Sequence, residues 1–234
     1  MKMEELIDIS YDEDFTQIES LKWYPWIGRR YKQSSKKLLI VGESHYMNHK
    51  DDLKYREWYE KSNNNKAYTR CCIYESAIKK CWSNKTYRNI SKLFLRTDNA
   101  NEFLWEQVAF YNIIQLIMDY RIRQRPNRLF AGAWKTFVDV IKVIEPTDCI
   151  FIGVSASNTF NKGIRMLGLP YTNIRQLKKV GRTYPRKSSI NIDGRDINIL
   201  FVKHTSQFFS WNAWNKFLLN ENPELMEELT KTQQ

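Results

Sequence analysis

The chain predicts an α/β fold around a mainly parallel sheet, on three observations. Short apolar runs, too brief for helices, end abruptly in polar residues at Lys37–Val41, Val108–Ile114 and Cys149–Val154, and a fourth ends at Val202. Segments with apolar residues at helical spacing alternate with them. An Asp-Gly pair between two short Ile-containing arms marks a hairpin. A strand buried on both faces reads as such a continuous apolar run, and its C-terminal end opens into a crevice. The expected architecture is a three-layer α/β/α sandwich around a four-stranded sheet, in one domain over residues 1–234.

Each element has its own signal. Asp12, Glu13 and Asp14 give residues 11–31 an acidic helix start, followed by an aromatic lead-in of Trp23, Tyr24, Pro25 and Trp26 ahead of Arg29 and Arg30. The first strand is Lys37–Val41. Residues 47–100 form a polar insertion with two helices, about Arg70–Trp82 and Tyr87–Leu95, near the loop-forming run Ser62-Asn63-Asn64-Asn65. Its Tyr, Trp, Lys and Arg content suits a DNA-facing lid, an oligomer contact or plain packing alike. A helix over Asn101–Gln107 leads to the second strand, Val108–Ile114. Phe130, Trp134, Phe137, Val138, Ile141 and Ile144 recur at helical spacing, and Pro146 stops that helix. Strand three, Cys149–Val154, precedes a helix over Ser157–Leu167. Ile190-Asn191-Ile192 and Ile197-Asn198-Ile199 flank Asp193-Gly194 with type I′ turn chemistry, and the second arm becomes strand four. A helix over about Asn212–Leu219 follows, and Pro223 separates it from a tail expected to be frayed and polar.

Composition narrows the function. Apolar residues at 42% and aromatics at 14% fit a packed globule. No apolar stretch approaches the ~20 residues that span a bilayer, and the N-terminus is no signal peptide, so a cytoplasmic protein without membrane contact is expected, as a monomer. Cys71, Cys72, Cys81 and Cys149 lack paired C-x-x-C spacing, so they are read as reduced thiols, with no metal and no cofactor. The 37 basic against 26 acidic residues give a net charge of +11. That excess favours a polyanionic partner, nucleic acid above all, because Lys and Arg contacts to phosphates release condensed counterions.

The strand ends carry the chemistry. In a parallel sheet they gather at one edge, which lets Glu43, Asn112 and His204 meet despite their separation in sequence. The motifs there are Gly42-Glu43-Ser44-His45-Tyr46, Phe110-Tyr111-Asn112, Phe151-Ile152-Gly153 and His204-Thr205-Ser206-Gln207-Phe208. Their order resembles the uracil-DNA glycosylase superfamily. That family has a Gly-Gln-Asp-Pro-Tyr-His or Gly-Glu-Ala-Pro-Gly motif after strand one, a base-reading Asn after strand two, and a Gly after strand three. Its last strand ends in His-Pro-Ser-Pro-Leu-Ser. Here Ser44 stands in place of the catalytic Asp or Asn, His45 in place of the Pro, and Thr205 in place of the Pro after the His.

The resemblance implies a monofunctional DNA glycosylase acting on a damaged or modified base, in repair or against modified foreign DNA. Glu43, Ser44 and His204 are its catalytic candidates. The carboxylate orients water and offsets oxocarbenium charge, and the imidazole donates to the departing base. Asn112 reads the base edge, while Tyr46 and Phe110 close on its ring. Gly42, His45, Lys203, Ser206 and Phe208 are assigned to the DNA, with Phe208 where the family inserts a Leu wedge. Arg182, Arg186 and Lys187 are further phosphate candidates. A catalytically weak DNA-binding module and an enzyme of free nucleosides or nucleotides are the alternatives.

Overall fold

Four consecutive apolar runs become four adjacent parallel strands because each is apolar on both pleat faces. In the computed structural model, which describes residues 2–47, 53–81, 84–99, 101–119 and 126–231, nine strands are found among the described residues. They are β1 (Trp26–Ile27), β2 (Leu38–Gly42), β3 (His45–Met47), β4 (Ala109–Asn112), β5 (Ile117–Asp119), β6 (Asp148–Ile152), β7 (Arg175–Gln176), β8 (Arg186–Ile192) and β9 (Arg195–Val202). Seven of them form one mixed sheet in the order β1-β4-β2-β6-β9-β8-β7. At its centre β4, β2, β6 and β9 are parallel, and β1, β8 and β7 join antiparallel at the two sides.

The sheet is therefore larger than the expected four strands. β1 and β7 are two residues long, too short to carry a period-2 pattern. The hairpin is formed as its residues require: β8 and β9 pair up to Ile192↔Arg195. Asp193 and Gly194 both take positive φ, 52° and 81°, the left-handed pair that a type I′ turn needs. A separate parallel pair, β3 with β5, extends the sheet edge beyond β2 and β4.

Alternation along the central strands divides the core in two. Leu39, Val41, Tyr111, Phe151, Ile199 and Phe201 face one cluster, and Leu38, Ile40, Phe110, Ile150, Leu200 and Val202 face the other. The first face is covered by α1 (Asp12–Thr16), α6 (Pro126–Ile144) and α7 (Ser157–Met166). The second is covered by α3 (Tyr68–Ile73), α4 (Lys85–Leu95), α5 (Asn101–Trp105), α8 (Trp211–Glu221) and α9 (Pro223–Thr230). The remaining helix, α2, is Leu53–Asn64.

Three helices depart from the sequence expectation. α2 was not expected, and it takes up Ser62, Asn63 and Asn64 of the run read as loop-forming. The helix expected over Arg70–Trp82 begins at Tyr68, and after Ile73 it widens into a π-helical turn over Tyr74–Ile78; Trp82 lies outside the described residues, as do 48–52, 83 and 100 of the insertion. The expected frayed tail is instead α9. Pro223 sits at its first turn, where a missing N–H costs nothing, and Leu225, Met226 and Leu229 are buried on one stripe. Among the described residues no helix is long and apolar enough to cross a membrane.

Candidate active site

The C-terminal ends of β2, β4, β6 and β9 open at one edge, and the chain leaves β2 toward β4 on one side and returns to β6 on the other. That reversal leaves a crevice at the strand ends. It holds a cavity of about 430 Å³ lined by Gly42, Glu43, Asn112, Phe110, Ile152 and His204, within the size range of small-molecule sites. Glu43, Asn112 and His204 thus meet at one hollow. The insertion supplies the facing wall with Tyr68, Cys72, Ser76, Asn84, Thr86, Tyr87 and Ile90, and Tyr46, 44% exposed, lies at the rim.

Gly42 makes this closeness possible. A Cβ there would lie 2.1 Å from Asn112 Oδ1 and 2.9 Å from Phe110 Cζ, so any side chain would displace both. Asn112 is buried, its backbone carbonyl accepts from Gln115 Nε2 at 2.5 Å, and Gln115 Oε1 in turn accepts from the Lys22 and Trp23 amides. Among the described residues nothing hydrogen-bonds the Asn112 carboxamide. Its donor and its acceptor are left for whatever fills the cavity. Phe110 packs edge-on against Tyr87 and Trp105, which fixes the ring.

The tautomer of His204 is set by its own loop. Ser206 supplies its backbone N–H at 3.2 Å and its hydroxyl at 2.9 Å to His204 Nδ1. A backbone amide can only donate, so Nδ1 is an acceptor. Burial lowers the His204 pKa, which keeps the ring neutral, and the remaining proton belongs to Nε2. The loop is clamped by Asn89, whose Nδ2 donates to Thr205 O at 2.6 Å and to Ser206 O at 3.3 Å.

Residues 43–46 divide their duties. The Glu43 side chain is half-buried and takes no partner among the described residues. Ser44 Oγ donates to Leu116 O and lies 3.2 Å from His45 O, so its proton links the turn between β2 and β3 to the residue before β5. His45, expected at the DNA, is turned inward and lines the cavity beside Tyr68 and Cys72 instead. It is 7% exposed, hydrogen-bonded through Nε2 to Thr69 Oγ1 at 2.9 Å, and packed between Trp23 and Tyr68. Burial lowers its pKa to about 3. A neutral, enclosed imidazole has no charge to offer a phosphate.

Three expected DNA contacts lie outside the cavity lining. Ser206 spends its amide and hydroxyl on His204. Lys203 Nζ donates to Phe208 O at 2.5 Å. Phe208 is 90% exposed at a positive φ of 52°, held out on a loop whose next residue, Phe209, stacks on Trp214. Of the basic candidates, Arg186 Nη1 reaches Ser157 Oγ and, at 2.7 Å, Asn158 Oδ1, and Lys187 Nζ lies 3.7 Å from Glu221 Oε2. Arg182 is exposed.

The facing wall was missed from sequence. Its readable trace is Asn84, whose side chain caps α4 by accepting from Thr86 N at 2.9 Å; the capped helix then presents Tyr87 and Ile90. Nothing in sequence placed Cys72, whose thiol burial pushes up to about 12, far from a reactive thiolate. No family model and no curated protein matches this chain.

Proposed function

We propose that this protein is a monofunctional DNA glycosylase, acting in the cytoplasm as a monomer on a damaged or modified base. The observation that carries the reading is the meeting of Glu43, Asn112 and a neutral His204 with an Nε2 donor at one aromatic-walled cavity. The reading also draws on the resemblance of the four strand-end motifs to the uracil-DNA glycosylase superfamily, and takes the four central parallel strands as that family's sheet.

The chemistry follows from these groups. A base extruded from the helix enters the cavity, with Phe110 against its ring and Asn112 paired to its edge. As the C1′–N bond breaks, positive charge grows on the sugar and negative charge on the base. The His204 Nε2–H donates to a base carbonyl and stabilises that charge where it develops. Glu43 accepts a proton from water as its oxygen bonds to C1′; the base leaves as an anion held by the His204 N–H and then takes up that proton through solvent, which restores the carboxylate and frees an abasic site. Exposed Phe208 fills the gap left in the stack.

The test is a mass-spectrometric screen for free bases released from several natural DNAs, including heavily modified phage genomes, with alkali cleavage of the product. Release of one base class with alkali-labile sites is expected from the wild type and not from Asn112→Ala. Binding to DNA without release of any base would favour a binding module, a reading consistent with the Ser44 hydroxyl being held by Leu116 O. Action on free nucleosides alone would overturn DNA as the substrate.

A further inference from the structure

Residues 149–192 contain eight Lys and Arg residues and not one Asp or Glu, in a chain whose net charge is +11. The structure sorts these cations. Arg186 and Lys187 are engaged with α7 and α8, and Lys162 and Arg165 lie on α7. Arg175, Lys178, Lys179 and Arg182 are exposed, and none has an acidic partner among the described residues.

These four lie on β7 and the hairpin loop after it. Leu177 N donates to Pro185 O at 2.9 Å, and Val180 and Thr183 exchange backbone hydrogen bonds, so the loop is a built turn. Leu177 and Val180 pack on the same core cluster as Phe209. Register fixes the edge: Gln176 pairs with Arg186, and Arg186 with Phe201, two residues before Lys203. The turn therefore leaves the sheet on the same side as His204 and Phe208. With strands about 4.8 Å apart, β7 stands roughly 10 Å from β9, about three base steps of duplex. Tyr184, 45% exposed, adds a ring face, with Lys179 Nζ 5.4 Å above its centroid.

We infer that the β7 edge and its turn, through Arg175, Lys178, Lys179 and Arg182, form a phosphate-binding strip that holds the nucleic-acid backbone a few nucleotides from the base in the cavity. This rests on the reading of the cavity as a site for a base in DNA. The occupant is a phosphate backbone because the strip joins unpaired cations and an exposed ring with no carboxylate to repel it, and counterion release drives such contacts.

The experiment measures anisotropy of a fluorescein-labelled 20-base-pair duplex across a salt series. It compares the wild type with R175Q/K178Q/K179Q/R182Q and with a control at the opposite sheet edge, K32Q/K142Q. All six side chains are exposed, and thermal melts verify that each variant folds. The strip variant is expected to bind roughly tenfold or more weakly, with the slope of log K against log salt shallower by about 3. The control stays within about twofold. An unchanged slope in the strip variant, an equal loss per charge in the control, or strip-dependent binding to phosphatidylglycerol vesicles but not to the duplex would each overturn the strip. Wild-type binding that depends on the strip but never releases a base would sink the glycosylase and leave the strip standing. Base release by a strip variant of unchanged affinity would do the reverse.

Discussion

Two histidines one sheet edge apart show how far environment separates identical side chains. His204 keeps one nitrogen for its loop and leaves the other as a donor toward the cavity, whereas His45, though it lines the same cavity, spends its Nε2 on Thr69 and packs against Trp23 and Tyr68. Both pKa values are lowered by burial, so the unfolded chain binds protons that the folded chain refuses. The stability the two confer is then complete above the unfolded value near 6.5 and is lost as pH falls below it, for His45 down to about 3. From pH 7 to 5, His45 alone accounts for about 2 kcal/mol of lost unfolding free energy. Urea melts at the two pH values should show at least that loss in the wild type, and His45→Gln should reduce it by a similar amount; an unaltered slope would mean that His45 is not held neutral. Gly42→Ala is expected to cost about 1–3 kcal/mol by overpacking and to displace Asn112, with base release falling on the order of a hundredfold. Melts and the release assay check both. Glu43, Asn112 and His204 were legible because each closes an apolar run. His45 was not, because its direction is set by the three-residue pairing of β3 with β5, which leaves no periodic trace.

Among the elements, α9 differs most from its sequence expectation. Pro223 reads equally as a stop after one helix or the start of the next, and the composition Glu-Leu-Met-Glu-Glu-Leu looks polar until the stripe of Leu225, Met226 and Leu229 is placed on a helix. Leu225→Ala should therefore destabilise by about 2–5 kcal/mol in urea melts; a change under about 0.5 kcal/mol is what a frayed tail would give. The insertion was legible as helical but not as a wall. Its helices are seated beside the cavity by tertiary contacts, such as Asn89 with the His204 loop, and are tied to the rest of the fold by others, such as the buried Arg70 paired with Asp12; such contacts have no local signature. The central strands were the most legible elements, since burial on both faces writes itself as an unbroken apolar run.

For the molecule as a whole, topology turns four distant motifs into one place. Parallel strands must all end on the same side, so residues that close them are brought together whatever lies between. The sheet's outer strands escaped reading because two-residue edges are fixed by their neighbours' unpaired backbone groups more than by their own side chains. Net charge, visible at once, favours a polyanionic partner but by itself names no face of the molecule. The account stands on an amide and an imidazole acting together on an extruded base. Single-turnover release of the preferred base from a duplex, by the wild type and by Asn112→Ala and His204→Ala with urea melts alongside, tests this. Rates at least about a hundredfold lower, with stability within about 1 kcal/mol of the wild type, are expected; release at the wild-type rate by either folded variant would contradict it.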